Sequence, residues 1–312
     1  MIYDSVNIFM LYIKEGFGPH EACIFNHSQN PNQVQLLIDT LDDKRNDVYL
    51  LVDQKSNWDN IDFFTKHSKL IRLPSLPIFW GNFSQIQAEF NLFKVASKYH
   101  YDYYHLISGA DLPLTSQNRI HNFFDQHPHH QFLTYSAMID PEELKLRIRP
   151  HLFRRSYRNQ VLPLRIYRKF EKKVIFGLFS QDKRDQYLGF ASNWVSLDDR
   201  FVQKLVASED IIHRFFDKGY LVDELMVPTL LNLYPEFKET VYHATPVTDK
   251  PDELQGSLRY INWWDGKPYI WCVQDFDKLQ SAVYHGHFFS RKFDLQVDSK
   301  IIDKIVANDL DR

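Results

Sequence analysis

Short apolar runs that stop abruptly at polar residues, with helix-spaced stretches between them, most narrow what this chain can fold into. Val48–Val52 (VYLLV) ends at Asp53, and before it Val34, Leu37, Ile38 and Leu41 share one face at the i, i+3, i+4, i+7 spacing of an amphipathic helix. Upstream, Glu21–Phe25 (EACIF) reads as a first strand, followed by a polar loop over His27–Asn32. Strand, helix, strand with short connections is a βαβ opening. The pattern continues with a run at Leu70–Leu73, a helix from about Phe83 to Tyr99, and a run at Tyr103–Ile107 closed by Ser108-Gly109. Such alternation predicts an α/β fold with ligands gathered at the carboxyl ends of the strands. Asp53 and Asp111 lie just past two such ends. On this reading residues 1–20 form an N-terminal extension outside the sheet, and residues 21–312 form one continuous domain.

Composition narrows the function classes. The chain has 312 residues and a net charge of −3, so nothing pulls it globally toward nucleic acid or membrane. Aromatic residues reach 15%; most belong to a large core, and some are expected to line a surface that packs against flat apolar ligand faces such as sugars or bases. Ten Gly leave little room for a Gly-rich phosphate loop. Two cysteines, Cys23 and Cys272, make no disulfide framework, which points to a reducing compartment. Asp4 sits where a secretory leader carries positive charge, and the run Ile8–Ile13 is too short to span a bilayer, so the expected location is cytoplasmic.

One segment departs from its surroundings. Lys145–Lys173 holds eleven Lys or Arg, including Arg154, Arg155 and Arg158, against the single acid Glu171. It reads as a solvated basic face, or as a peripheral contact with anionic lipid or a lipid-linked diphosphate at the inner face of a membrane. Nucleic acid is a weaker reading, because no recognised module accompanies the charge.

Several familiar machineries are missing: there is no GxSxG, Walker P-loop, HExxH or paired CxxC. His127, His129 and His130 sit in a polar stretch without helical HxxxH spacing and read as a surface loop. Asp275-Phe276-Asp277 has the DxD form that often holds a metal, but it reads here as the cap of a helix over Lys278–Val283. In Leu221–Leu230, Asp223-Glu224 interrupts an apolar stretch, and Pro228 places a helix start nearby. Asp223 reads as a helix cap and Glu224 as a candidate general base, since a carboxylate among apolar residues gains affinity for a proton, an effect that a helix N-terminus opposes. Near the end, Arg291-Lys292 stands between aromatic residues in FFSRKFD and can neutralise a diphosphate, while RYINWW (Arg259–Trp264) offers rings beside polar groups for stacking a sugar.

In order along the chain, VDQKS (52–56), WGNFSQIQAEF (80–90), HLISGADLPL (105–114), GFASNWVSL (189–197), Asp223-Glu224, RYINWW and SRKFD resemble the core 2/I-branching β-1,6-N-acetylglucosaminyltransferase and peptide O-xylosyltransferase family. The resemblance runs from about residue 21 to the C-terminus. It implies a GT-A type α/β fold, with a Rossmann-like mixed sheet flanked by helices, for a single catalytic domain. It also implies inversion at the anomeric carbon with neither a metal nor another cofactor. By motif, Glu224 is the base that deprotonates the acceptor hydroxyl, and Arg291 and Lys292 stabilise the leaving diphosphate. Asp53 and Lys55 contact the uridine, Trp80 lies near the donor, Trp263 stacks on the acceptor, and Ser108 faces the acceptor from its loop. Asn193 stands where the xylosyltransferases carry Asp against the donor sugar, which disfavours xylose.

The expectation is therefore an inverting transfer from a UDP-sugar, UDP-N-acetylglucosamine first and UDP-glucose or UDP-galactose as alternatives, onto a glycan or lipid-linked acceptor in exopolysaccharide or capsule assembly. A xylosyltransferase is the rival within enzymes. A non-catalytic nucleotide-sugar sensor and a membrane-docking scaffold are rivals outside them; Glu224 argues against the sensor, which needs no base.

Overall fold

A computed structural model describes residues 8–12, 30–56, 58–137, 139–150, 182–266 and 269–307. The expected strand at Glu21–Phe25, Cys23, and residues 151–173 of the basic segment lie outside the described residues.

The described part is mixed α/β, two small sheets flanked by helices. The larger sheet takes β1 (Ile8–Tyr12), β2 (Asp47–Val52), β3 (Lys69–Arg72), β4 (Tyr103–Ser108) and, later, β6 (Ser196–Asp198), in the order β3-β2-β1-β4-β6. β2 and β3 run parallel, whereas β1 is antiparallel to both β2 and β4, and β4 to β6. This corrects the expectation that the sheet begins near Glu21. Ile8 lies opposite Val52 and Phe9 opposite Ser108, so the short apolar run near the N-terminus fills the slot between the two most apolar strands.

Period-two alternation sorts the central strands into two cores. Tyr49 and Leu51 of β2 and Tyr104 and Leu106 of β4 pack with Ile86, Phe90 and Phe93 of α2 (Ser84–Ala96), while Val48, Leu50, Val52 and Ile107 pack with Val34, Leu37 and Ile38 of α1 (Pro31–Leu41). The α1 face is the one its spacing predicts, and Asn30 caps it by accepting from the Asn32 amide. The expected Phe83–Tyr99 helix is α2 followed by a tighter turn over Ser97–Tyr99.

The smaller sheet joins β5 (Asp111–Pro113) to segments far along the chain. β5 pairs antiparallel with β8 (Phe289–Arg291), which pairs in parallel with β7 (Arg259–Ile261). The other helices, in chain order, are α3 (Gln117–Gln126), α4 (Pro141–Arg147), α5 (Asp199–Val206), α6 (Glu209–Phe216), α7 (Asp223–Leu233), the single turn α8 (Pro235–Lys238), α9 (Phe276–Tyr284) and α10 (Ser299–Ala307). The buried guanidinium of Arg259 links the two sheets, donating to the Ser196 hydroxyl at 2.8 Å and the Val195 carbonyl at 2.8 Å. Among the described residues, no helix is long and apolar enough to cross a membrane.

Candidate active site

Two parallel strands ending side by side build one wall of the site. Register pairs Ile261 with Arg291, so the residues that follow, Asn262-Trp263 after β7 and Lys292 after β8, emerge together. Register also sets Asp111 of β5 opposite Arg291. The Arg291 guanidinium lies 3.4 Å from the Asp111 carboxylate and 4.1 Å above the Trp194 ring, with only 11% of its side chain exposed. Asp111 is fixed in turn by Ser108, whose amide donates at 2.9 Å and whose hydroxyl donates at 2.5 Å. Burial pushes the Asp111 carboxyl up against the opposing pull of Arg291 and Ser108. The charge of Arg291 is thus partly matched inside the protein by Asp111, and Arg291 and Lys292 both line the site.

A second part of the lining is the start of α7, where Asp223 and Glu224 sit. Pro228 does not mark the helix start, as its presence suggested; it is the sixth residue of α7. Lacking an N–H, Pro228 cannot bond back to the Glu224 carbonyl, and that carbonyl accepts instead from the Ala191 amide at 3.1 Å. A Cβ on Gly189 would come within 2.9 Å of the Pro228 backbone, so the 189–194 segment lies flush against α7 only because that residue is glycine. Proline and glycine together bring the GFASNW stretch beside the acids.

The turn before α7 is held from two directions. Leu221 adopts φ +48 and donates its amide to the Gly81 carbonyl at 2.8 Å, next to Trp80. From the other side, the Tyr220 amide donates to the Arg147 carbonyl at 2.8 Å. Arg147, buried at the end of α4, donates through Nη1 to Glu224 Oε2 at 2.8 Å and to the Leu221 carbonyl at 3.2 Å, with its guanidinium 5.2 Å from the Phe190 ring centre. Asp223 accepts from Gln85 Nε2 at 3.1 Å. Burial, then the negative charge of Glu224, push the Asp223 carboxyl up to about 7.

A third carboxyl stands behind these. Glu89 of α2 is fully buried and accepts from Asn193 Nδ2 at 2.8 Å, while its other oxygen has no partner among the described residues. Burial and then the charge of Asp223 hold its proton affinity well above the ordinary carboxylate range.

These walls enclose a cavity of about 380 Å³. Of the residues singled out from sequence, Trp80, Asn193, Glu224, Trp263, Arg291 and Lys292 line it. Asp53, Lys55 and Ser108 are not among its lining residues. Asp53 is fully buried at the end of β2, where it accepts from the amides of Lys55 at 3.0 Å and Ile78 at 3.2 Å, and Lys55 Nζ lies 3.3 Å from its carboxylate and 4.9 Å from the Phe79 ring centre. The pair holds the segment through Leu76 and Ile78 that leads to Trp80. Ser108 likewise faces Asp111 and not the cavity.

Asp275 sits at the N-cap position of α9 but its side chain makes no capping bond to that helix; it accepts instead from Tyr269 Oη at 2.7 Å, the Cys272 amide of the preceding turn at 3.2 Å and Lys278 Nζ at 2.9 Å. The basic segment is less solvated at its start than its composition suggests. Lys145 pairs with Glu142 at 2.5 Å, Arg147 with Glu224, and Arg149 with Asp182 at 3.2 Å and Asp185 at 2.7 Å. Sequence reading missed Arg147 as a site residue because it looked like one more member of a charge run. Glu89 was missed too; the visible signal was an acid on the apolar face of an amphipathic helix.

Residues 24–281 of the chain match the Core-2/I-Branching enzyme family. A search of curated proteins returns no match. That span covers most of the chain and takes in the α7 acids and every strand but β1 and β8, so the chain belongs to the Core-2/I-Branching enzyme family of glycosyltransferases.

Proposed function

We propose that this protein is an inverting glycosyltransferase of GT-A type, Rossmann-like architecture that moves a sugar, N-acetylglucosamine first, from a UDP-sugar to an acceptor hydroxyl without a metal. The observation that carries this reading is that a carboxylate and two cations line one cavity, Glu224 with Arg291 and Lys292, together with Trp80 and Trp263. Glu224 takes the proton as the acceptor oxygen bonds to the anomeric carbon. The bond from that carbon to the diphosphate oxygen breaks, and the departing charge is met by Arg291 and Lys292. Asn193, anchored on Glu89, is placed to contact the donor sugar, and the tryptophans offer faces for stacking.

The acceptor is a glycan or lipid-linked saccharide in this reading, and the basic residues from Arg154 onward provide a peripheral contact with anionic lipid at the cytoplasmic face. The test begins with thermal unfolding in the presence of UDP-sugars, where a true donor at about a hundred times its dissociation constant adds about 2.7 kcal/mol. Transfer from that donor is then measured for wild type and Glu224→Gln, with and without EDTA. Glu224→Gln is expected to lose about 10²–10⁴-fold in turnover while still being protected by the donor. Near-normal turnover in that variant refutes the base assignment; loss of wild-type transfer in EDTA, restored by Mn²⁺, refutes the metal-free one.

A further inference from the structure

We propose that Arg147 is a positioning residue of the transfer reaction, acting through Glu224. This rests on the reading of Glu224 as the base. The base side chain is long and about one third exposed, at 36%, so nothing in the helix alone fixes where its carboxylate points. Arg147 supplies that constraint: Nη1 donates to Oε2 at 2.8 Å, on the side chain of a residue 77 positions away.

The guanidinium is itself immobilised. It is bonded to the Leu221 carbonyl at 3.2 Å and stacked beside Phe190, and its own backbone carbonyl accepts from Tyr220. Gly219 permits this docking, since a Cβ there would stand 2.5 Å from the Arg147 carbonyl oxygen. Arg147, Phe190 and Glu224 all line the cavity, so the arrangement stands at the place of reaction and not in the remote core. A guanidinium held at several points directs its partner better than a flexible ammonium, because its donors are fixed in one plane. The other charged groups facing the pair are Asp223, one residue before Glu224, and Glu89 behind it, both on the acidic side. Arg147 is therefore the cation that keeps the base aimed while the Asp223 carboxyl stands beside it.

The experiment is a double-mutant cycle on transfer kinetics with Arg147→Gln, Arg147→Lys and Glu224→Gln, alone and combined. Arg147→Gln should lower kcat by roughly 10–100-fold with donor protection against unfolding unchanged, since misplacing a reacting group by about 1 Å carries a penalty of that order. Arg147→Lys should recover part of the loss. In the Glu224→Gln background, Arg147→Gln should add nothing further. Losses that multiply in the double variant, or normal kcat in both Arg147 variants, overturn the inference. If Arg147→Gln does not fold, Arg147→Lys and its combination with Glu224→Gln close the same cycle. Full activity in Glu224→Gln alone would instead bring down the base reading on which the inference stands, so the two failures are separable.

Discussion

Asp223→Asn is expected to make the protein more stable, and only above mildly acidic pH. In the folded chain the Asp223 carboxyl is pushed up to about 7 from 3.8, by burial first and the Glu224 charge second. A carboxyl with a raised folded-state pKa binds more protons folded than unfolded between those two values, so stability is present below the lower one and is lost as pH rises toward the upper. The full displacement sets an upper bound of about 4 kcal/mol on the stability lost above pH 7, at about 1.36 kcal/mol per tenfold, and because Asp223 is only partly buried and interacts with Glu224 the loss is smaller than that. Asparagine has nearly the same shape and still accepts a hydrogen bond from Gln85, but it carries no charge to desolvate. Glu89, raised in part by the Asp223 charge, is relieved in the same direction. Urea unfolding of both proteins across the range from about pH 4 to 8.5 measures the difference. It should be near zero at the acid end and grow in favour of the variant toward the alkaline end, staying below about 4 kcal/mol. A difference that stays constant with pH, or a variant less stable than wild type above pH 7, refutes the reasoning.

Four further substitutions probe the strand wall, the turn and a glycine in open space. Lys292→Ala should lower turnover by about 10²–10³-fold, the usual effect of removing one donor to a developing charge, with little change in thermal midpoint; steady-state kinetics beside a melting curve check both. Asp111→Asn should cost about 3–5 kcal/mol in urea unfolding, because it leaves the buried Arg291 without its counter-charge, and an unchanged midpoint would show that the pair is not holding that wall. Gly219→Ala should destabilise by about 1–3 kcal/mol through the clash with the Arg147 carbonyl, read as a lowered thermal midpoint, whereas Gly266→Ala, with open space around it at a strained φ of +132, tests backbone strain alone.

What the sequence determined by itself is what repeats locally. The α1 face of Val34, Leu37, Ile38 and Leu41, and the runs that became β2 and β4, are legible because burial on one face imposes a period on neighbouring residues. The motifs likewise named Trp80, Asn193, Glu224, Trp263 and Lys292, which the fold gathers around one cavity. Tertiary structure decided the rest, because pairing depends on register and docking between segments far apart in the chain. The β5–β8 register set Arg291 against Asp111 while keeping both Arg291 and Lys292 on the cavity lining. Strand pairing drew Ile8–Tyr12 into the sheet although no helix-spaced stretch announced it. The carbonyl that Pro228 leaves unbonded found Ala191, and Arg147, one cation in a basic run, became the partner of Glu224 because the turn at Gly219–Leu221 has room for its backbone and for no side chain at that glycine.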